Sequence, residues 1–383
     1  MIWFNLIIPL IAILFLLFYF KKQMAWWEYV ALFVVPLIGI VISYFVSVSA
    51  QTMDTEYWNT YITHATYFEY WESYVKKTCS RRVSCGKDCT KTEFYDCSYC
   101  DRNPEYWEAY DNIGGAYHIS RTQFEELCKI WGNRVYQNLH RDIHYHGLCG
   151  KDGNAYNTKF NGDFDLLQPL VLKRTYENRV QCSRSVFNFE PVDSSEIRLY
   201  GLYKYPDYVD MFHYTPIVGT YDGPASNRLR KWNALLGSSK QVHMLVLVYI
   251  NKPVESVSYQ ERFWKGGNKN EFILCIGINN QKEVQWSRVI SWTEQERLKN
   301  ELASKIMGMP FELTMIVDTM ATMVKSQFIR KKFSDFSYIK IQPTGKAVVI
   351  TFIVTILITI GISIFSVLNP FDLDDPSGAR RRV

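Results

Sequence analysis

Residues 79–100 read CSRRVSCGKDCTKTEFYDCSYC and hold Cys79, Cys85, Cys89, Cys97 and Cys100, five of the nine cysteines in the chain. Thiols at this density support three kinds of chemistry. Cys85-x3-Cys89 followed by Cys97-x2-Cys100 is spaced closely enough to place four thiolates on one tetrahedral zinc. In an oxidising compartment the same residues, together with Cys128, Cys149 and Cys182, would close disulfides, with a connectivity that spacing alone does not choose. Thiol exchange is the least expected of the three, because Cys97-Ser98-Tyr99-Cys100 lacks the βαβ surroundings of a thioredoxin-like motif. Disulfides are the expected reading and structural zinc the alternative. The ninth cysteine, Cys275, lies in the apolar run FILCIGI and reads as a buried core thiol.

Three further stretches carry polar chemistry. HRDIHYHG supplies His140, His144 and His146; the last two share a strand face with Asp142, a geometry that permits a metal, although histidines on a Tyr-rich β surface are more often structural. WKGGNKN, from Trp264 through Lys265, Gly266, Gly267, Asn268 and Lys269 to Asn270, could form an anion nest of backbone N–H groups flanked by two lysines. It lacks the spacing of a Walker loop, and the plainer reading is a helix-to-strand turn whose glycines take positive φ. In WSRVISW, alternation puts Trp286, Arg288 and Trp292 on one face, a possible cation-π contact surface. No Ser/His/Asp or Cys/His order marks a catalytic triad, and no cofactor is expected beyond the zinc alternative.

The elements that must position these residues begin with three uncharged apolar runs at residues 3–20, 29–50 and 347–368. Each is long enough to cross a hydrocarbon core of about 30 Å as a helix. The first lacks a positive n-region and a cleavage site and is expected to stay attached. Lys21, Lys22, Trp26 and Trp27 lie between the first two runs, as in a tight hairpin with an interfacial aromatic belt. Basic residues beside the spans tie, with Lys21, Lys22, Arg380, Arg381 and Arg382 against Arg330, Lys331, Lys332, Lys340 and Lys346. Short loops weigh more than charges on a long domain, and every cysteine is in the body, so the body is expected outside the cytoplasm. The absence of any Asn-x-Ser/Thr acceptor suits a bacterial or phage origin.

Between the second and third spans the composition changes once, near the Gly/Pro punctuation of residues 221–226. The earlier part reads as antiparallel β, with a hairpin turning at Gly114-Gly115. It also contains a helix capped by Ser120 that presents Phe124, Leu127, Cys128 and Trp131 on one face. Residues 150–220 suggest strands and long loops, as in a stalk returning to the membrane. The later part alternates helix and strand. A helix ends at an αL cap on Gly237, strands at 242–250 and 271–278 pair in parallel through a helical crossover, a strand at 283–292 returns antiparallel through NNQK, and a last helix starts at Pro310.

The run FWKGGNKNEFILCIGINNQKEVQWSRVISWTEQERLKNELASKI, residues 263–306, resembles the TPM-domain family, in particular its variant in membrane proteins of tailed phages. DTEYW and the cysteine cluster extend that resemblance toward the N-terminus. It implies a TPM-like α/β domain and a role either in assembly or as a phosphatase. The family's turn passes from Gly and Lys into Asp-Asn-Gly, whereas this chain reads Lys265-Gly266-Gly267-Asn268-Lys269-Asn270-Glu271, so the acidic residue available for a cation has moved or gone.

The expected architecture is an α+β membrane protein with an N-terminal transmembrane hairpin (1–50), a Cys-rich, Tyr-rich antiparallel β region (51–224), a TPM-like α/β domain (225–333), a linker (334–346), a C-terminal transmembrane helix (347–368) and a short basic tail (369–383). The expected function is a membrane-anchored, non-enzymatic interaction or assembly protein of phage type. Its partners would be the lipid bilayer and a protein of the envelope or virion, and its body would be periplasmic in a Gram-negative host. The alternative is a metal-assisted phosphohydrolase at the membrane surface. Nucleic acid is not an expected partner, because the net charge of +5 comes from dispersed residues. A channel is disfavoured by the scarcity of ionisable residues in the spans.

Overall fold

The computed structural model describes residues 2–20, 26–86, 89–139, 149–151, 153–180, 182 and 189–368, with the side chain of Cys89 excepted. The described chain is α+β and divides into two compact units, each assembled from separated segments: Met1–Thr55, Thr175–Glu190 and Lys332–Val383 form one, and Glu56–Arg174 and Pro191–Lys331 the other.

The first unit is built on α1 (Ile7–Tyr19, preceded by a 3-10 turn Ile2–Leu6), α2 (Trp26–Thr52) and α9 (Gly345–Leu368). With its 3-10 turn the first helix has 18 residues, and the other two have 27 and 24, all long and apolar enough to cross a membrane. The three pack on one another, and their polarity is inverted. The inward positions of α9 are Thr351, Thr355, Thr359 and Ser366, spaced to share one face, while Phe352, Ile353, Leu357 and Ile364 point outward. Asn5 and Glu28 are buried as well. Small inward residues let helix backbones approach closely. Thr351 Oγ1 donates back to the Ala347 carbonyl at 2.7 Å, so burying its hydroxyl leaves no donor unmet. Asn178 stitches the segment that follows Glu177 to the end of α2 and the residues just after it: its Nδ2 donates to Asp54 Oδ2 at 2.8 Å and its amide to the Thr52 carbonyl.

In the second unit the long strand β1 (Met53–Phe68) is central. A register shift between Ile62 and His64 lets Ile62 and Ala65, three residues apart, join one buried cluster. Short strands β2 (Trp71–Val75), β3 (Thr78–Gly86), β4 (Cys89–Asp96) and β5 (Tyr99–Asn103) follow. They leave that sheet and pair among themselves as two-stranded ribbons, β2 with β5 and β3 with β4. The chain returns through β6 (Tyr106–Asp111) and β7 (Ala116–His118), the hairpin expected at Gly114-Gly115, then α3 (Arg121–Trp131), β8 (Val135–Asn138), β9 (Asn154–Lys159) and β10 (Pro169–Glu177). The sheet order is β7-β6-β1-β9-β8, with β10 also on β1. A Ser120/Gln123 capping box opens α3 and αL Gly132 closes it; Phe124, Leu127 and Trp131 are buried against the sheet.

After α4 (Ser194–Tyr200) comes a four-stranded sheet, β11 (Ile217–Val218), β12 (His243–Ile250), β13 (Glu271–Ile278) and β14 (Val284–Ser291), with α5 (Gly223–Lys240), α6 (Ser256–Phe263), α7 (Glu296–Met307) and α8 (Leu313–Gln327). β12 and β13 pair in parallel around α6, and β14 returns antiparallel, as expected. Both faces of β12 and β13 are covered, which their unbroken apolar runs require. β11 is too short to cover the edge of β12, and the Asn233 side chain takes over: it accepts from the Met244 amide at 2.7 Å and donates to the Met244 carbonyl at 2.9 Å.

Two boundaries differ from expectation. α5 continues past Gly237 to Lys240, and Gln241 takes the αL position with φ 52°. Gly237 serves close packing instead, since a Cβ there would lie 2.0 Å from the Asn59 carbonyl oxygen. α8 begins at Leu313 rather than Pro310, because the Glu312 amide bonds to the Pro310 carbonyl and holds a turn ahead of the helix.

Candidate functional site

The turn from Trp264 to Glu271 closes on itself. Lys265 takes the αL conformation with φ 51°, the Lys265 amide bonds to the Arg262 carbonyl and the Gly266 amide to the Glu261 carbonyl, the pattern of a Schellman cap on α6. Gly267 donates to the Trp264 carbonyl. The Asn268 amide, which a bound anion would need, donates instead to Glu271 Oε2 at 2.8 Å. Glu271 is 1% exposed, so the nest is filled by a carboxylate of the chain itself. Tyr205 also hydrogen-bonds to Glu271, and Asn268 Nδ2 donates to the Tyr205 hydroxyl at 2.7 Å.

Glu271 borders a buried cluster that joins the two large sheets. Asn270 Nδ2 reaches the Tyr57 carbonyl at 2.6 Å. Asn59 Nδ2 lies 2.8 Å from His243 Nδ1, and the Tyr214 hydroxyl donates to Asn59 Oδ1 at 3.0 Å. Tyr57 packs on Tyr208 with ring centroids 4.5 Å apart, and the ring of His243 is 5.7 Å from that of Tyr208. Burial pushes the His243 imidazole down to about 3 and raises the hydroxyls of Tyr208 and Tyr214; for Tyr205, burial comes first and the Glu271 charge adds to it. At neutral pH the cluster therefore offers a neutral imidazole and protonated phenols. Each is engaged inside the protein, which suits a cross-brace rather than proton transfer to a substrate. The sequence reading missed this cluster. Its one local signal is His243, a polar residue heading the otherwise apolar strand HMLVLVYI.

In β14, Trp286 is buried with Ile290, and its Nε1 donates to the Lys252 carbonyl at 2.8 Å; Trp292 Nε1 donates to the Gly267 carbonyl at 3.2 Å. Arg288 stands exposed between them, with Nη1 on the Ser287 carbonyl. Both indoles thus have structural work, and Trp292 ties β14 to the 264–271 turn.

The cysteine segment forms the second candidate site. Cys79 is bonded to Cys97 and Cys100 to Cys149, with Cα atoms 5.8 and 5.7 Å apart. Cys85 is disulfide-bonded too. Cys97 and Cys100 are therefore not available as thiolates, and the zinc set of Cys85, Cys89, Cys97 and Cys100 is not assembled. Of the other cysteines expected to pair, Cys128 is a thiol packed on the α3 face, and the Cys182 thiol donates to the Gln51 carbonyl. Cys275 is buried, which raises its thiol pKa. His140, His144 and His146 lie outside the described residues. Among the described residues no group of three His, Cys, Asp or Glu is placed to hold a metal ion.

The β3–β4 ribbon is exposed on both faces. Register places Arg81 opposite Glu93 and Cys79 opposite Tyr95 on one face, and Ser80 opposite Phe94 and Arg82 opposite Thr92 on the other. Arg81 is paired with Glu93 at 3.0 Å and lies over the Tyr95 ring.

No family model, curated protein or solved structure matches this chain. Its function is therefore argued from its own geometry.

Proposed function

We propose that this is a membrane-anchored interaction or assembly protein without catalytic activity, whose body lies outside the cytoplasm and holds or recognises another envelope or virion component. The observation that carries the anchoring is the inverted polarity of α1, α2 and α9. Among the described residues these helices and the 3-10 turn leave twenty-eight large apolar side chains exposed while burying Thr, Ser, Asn and Glu. In water each such side chain forgoes about 1.5–3 kcal/mol of burial, a total of tens of kcal/mol that a bilayer removes. Soluble monomers rarely expose patches of this extent, which mark partner or membrane contact.

Two disulfides in the β ribbons support an oxidising compartment for the body. The interaction role draws support from a ribbon that adds nothing to any core yet is covalently stapled. The TPM-like and phage-type parts of the proposal rest on the sequence resemblance. The test is extraction and labelling in cells. The chain is expected to stay in the membrane through alkaline carbonate, and Cys79, Cys97, Cys100 and Cys149 to resist an impermeant maleimide until reductant is added. Release by carbonate, or ready alkylation of those four cysteines without reduction, would overturn it.

A further inference from the structure

The apolar run of α2 ends at Ala50 and that of α9 begins at Ala347, and hydrogen bonds set these two ends side by side. The Thr344 amide donates to Ser47 Oγ at 3.2 Å, and Gln51 Nε2 donates to the Gln342 carbonyl at 3.1 Å. Arg179 Nη1 donates to the Ser337 carbonyl at 2.8 Å, next to Asn178, whose amide holds the Thr52 carbonyl. Residues 337–346 are therefore tied to the last turns of α2. At roughly 1.5 Å per residue the apolar run 29–50 is about 33 Å long, enough to fill a hydrocarbon core of about 30 Å. The segment just before α9 thus lies at the depth of phospholipid headgroups. Two cations stand in that layer: Lys340 and Lys346 are exposed and, among the described residues, make no ion pair. The neighbouring carboxylates are engaged within the protein, Asp54 with Tyr176 and Asn178, Glu177 with Arg179, and Asp335 with Ser334. Lys346 also heads an apolar strip. It lines a shallow notch with Val349 and Ile350, and Ile353 and Leu357 continue the same side of α9 at helical spacing, all four facing outward. Tyr338, 70% exposed, adds a phenol at the same depth, where tyrosine favours the membrane–water interface.

We infer that Lys346 and Lys340 hold the headgroup of an anionic phospholipid, its phosphate on the ammonium groups and one acyl chain laid along Val349, Ile350, Ile353 and Leu357. This rests on the membrane-anchored reading above and names the class of lipid that the anchor selects. Every phospholipid offers a phosphate at this depth, but a zwitterionic headgroup brings its own ammonium against the two lysines. An anionic one leaves them a net attraction, on the order of fivefold in affinity for each lysine at a charged surface. Lysine suits the position, because its stem lies along apolar surface while its head reaches the phosphate layer. A soluble anion suits it less: among the side chains that line the notch only that of Lys346 is polar, so the contact is built for a ligand with an apolar part.

The test reconstitutes the full chain in vesicles of equal parts phosphatidylcholine and phosphatidylglycerol, with a trace of one lipid or the other carrying a photoactivatable diazirine in its acyl chain. Mass spectrometry of the irradiated chain is expected to find residues 346–357 labelled about fivefold or more in excess by the phosphatidylglycerol probe over the phosphatidylcholine probe. Lys340→Gln combined with Lys346→Gln is expected to abolish that excess, and Lys340→Arg combined with Lys346→Arg to keep it. Lys325→Gln, which removes an exposed lysine of α8, is expected to leave it unchanged. Equal labelling by the two probes would overturn the inference, as would an excess that survives the double glutamine variant. So would an excess removed by inorganic phosphate but not by chloride at the same ionic strength, which would mark a site for free anions. Both leaflets carry both lipids, so the outcome is the same whichever way the body faces. A chain that fails to float with the vesicles would remove the anchored reading; one that floats and is labelled equally by both probes removes the lipid site alone.

Discussion

Arg330 and Glu56, 274 residues apart in the chain, form a buried ion pair in which one guanidinium nitrogen donates to both carboxylate oxygens at 2.8 and 3.0 Å. The carboxylate side chain is 4% exposed. Trp58 Nε1 donates to the same carboxylate at 2.7 Å, and the Trp58 ring has Arg330 at 5.2 Å and Arg174 at 4.3 Å from its centroid. Removing one partner strands a buried charge, so Arg330→Met is expected to lower stability by about 3–5 kcal/mol. Arg81→Ala, which breaks an exposed pair, is expected to cost under about 1 kcal/mol. Urea unfolding of the detergent-solubilised chain, followed by tryptophan fluorescence, separates the two; equal midpoints would refute the ranking.

Gly237→Ala has an unusual expected sign. An interior helical glycine normally gains about 1 kcal/mol on becoming alanine. Here the added methyl would meet the backbone oxygen of Asn59 at 2.0 Å, and overpacking of this kind costs about 1–3 kcal/mol. A lowered melting temperature is the expected result, and a raised one would mean that α5 can shift away from β1 cheaply.

His243 makes the second unit acid-sensitive. Its folded value near 3 lies below the ordinary 6.5, so between those limits the unfolded chain binds a proton that the native state refuses. Stability from this group is complete above about pH 6.5 and is lost as pH falls toward 3, a contribution of a few kcal/mol. His243→Phe is expected to flatten the decline of unfolding free energy over that window relative to the parent. A parallel decline in both proteins would contradict a neutral buried imidazole.

Disulfide reduction is expected to act locally. The Cys79–Cys97 and Cys100–Cys149 bonds span 18 and 49 residues, and loops of this size are each worth about 3–4 kcal/mol in the chain-entropy account. A two-stranded ribbon is marginal without such support. Limited proteolysis with and without reductant, read by mass spectrometry, is expected to show new cleavage within 76–103 while residues 223–327 stay intact. Simultaneous loss of both regions would show that the ribbons brace the four-stranded sheet.

What could be read from the sequence was local. Three uninterrupted apolar runs identify α1, α2 and α9. Ser120 with Gln123 identifies the start of α3, and the NNQK turn between two apolar strands identifies the β13–β14 hairpin. Each of those signals lies within about twenty residues and needs no distant partner. Gly237 misled because a glycine near a helix end is a common cap, and only the position of Asn59, far away in the chain, reveals its packing role. The WKGGNKN turn could be recognised as a turn, but its filling by Glu271 depends on Tyr205 folding over it. The cluster of Tyr57, Asn59, Tyr214 and His243 collects residues from three separate segments, so no short window of sequence contains it.

The alternation of the two units along the chain, which passes between them after Thr55, Arg174, Glu190 and Lys331, bears on how such a protein can be inherited. A recombination breakpoint anywhere from 56 to 331 would part residues that pack together in at least one unit. Neither unit can be exchanged as a single stretch of gene. The apolar helices and the sheets that carry the stapled arm would therefore travel between genomes as one indivisible cassette, changing by point substitution rather than by shuffling.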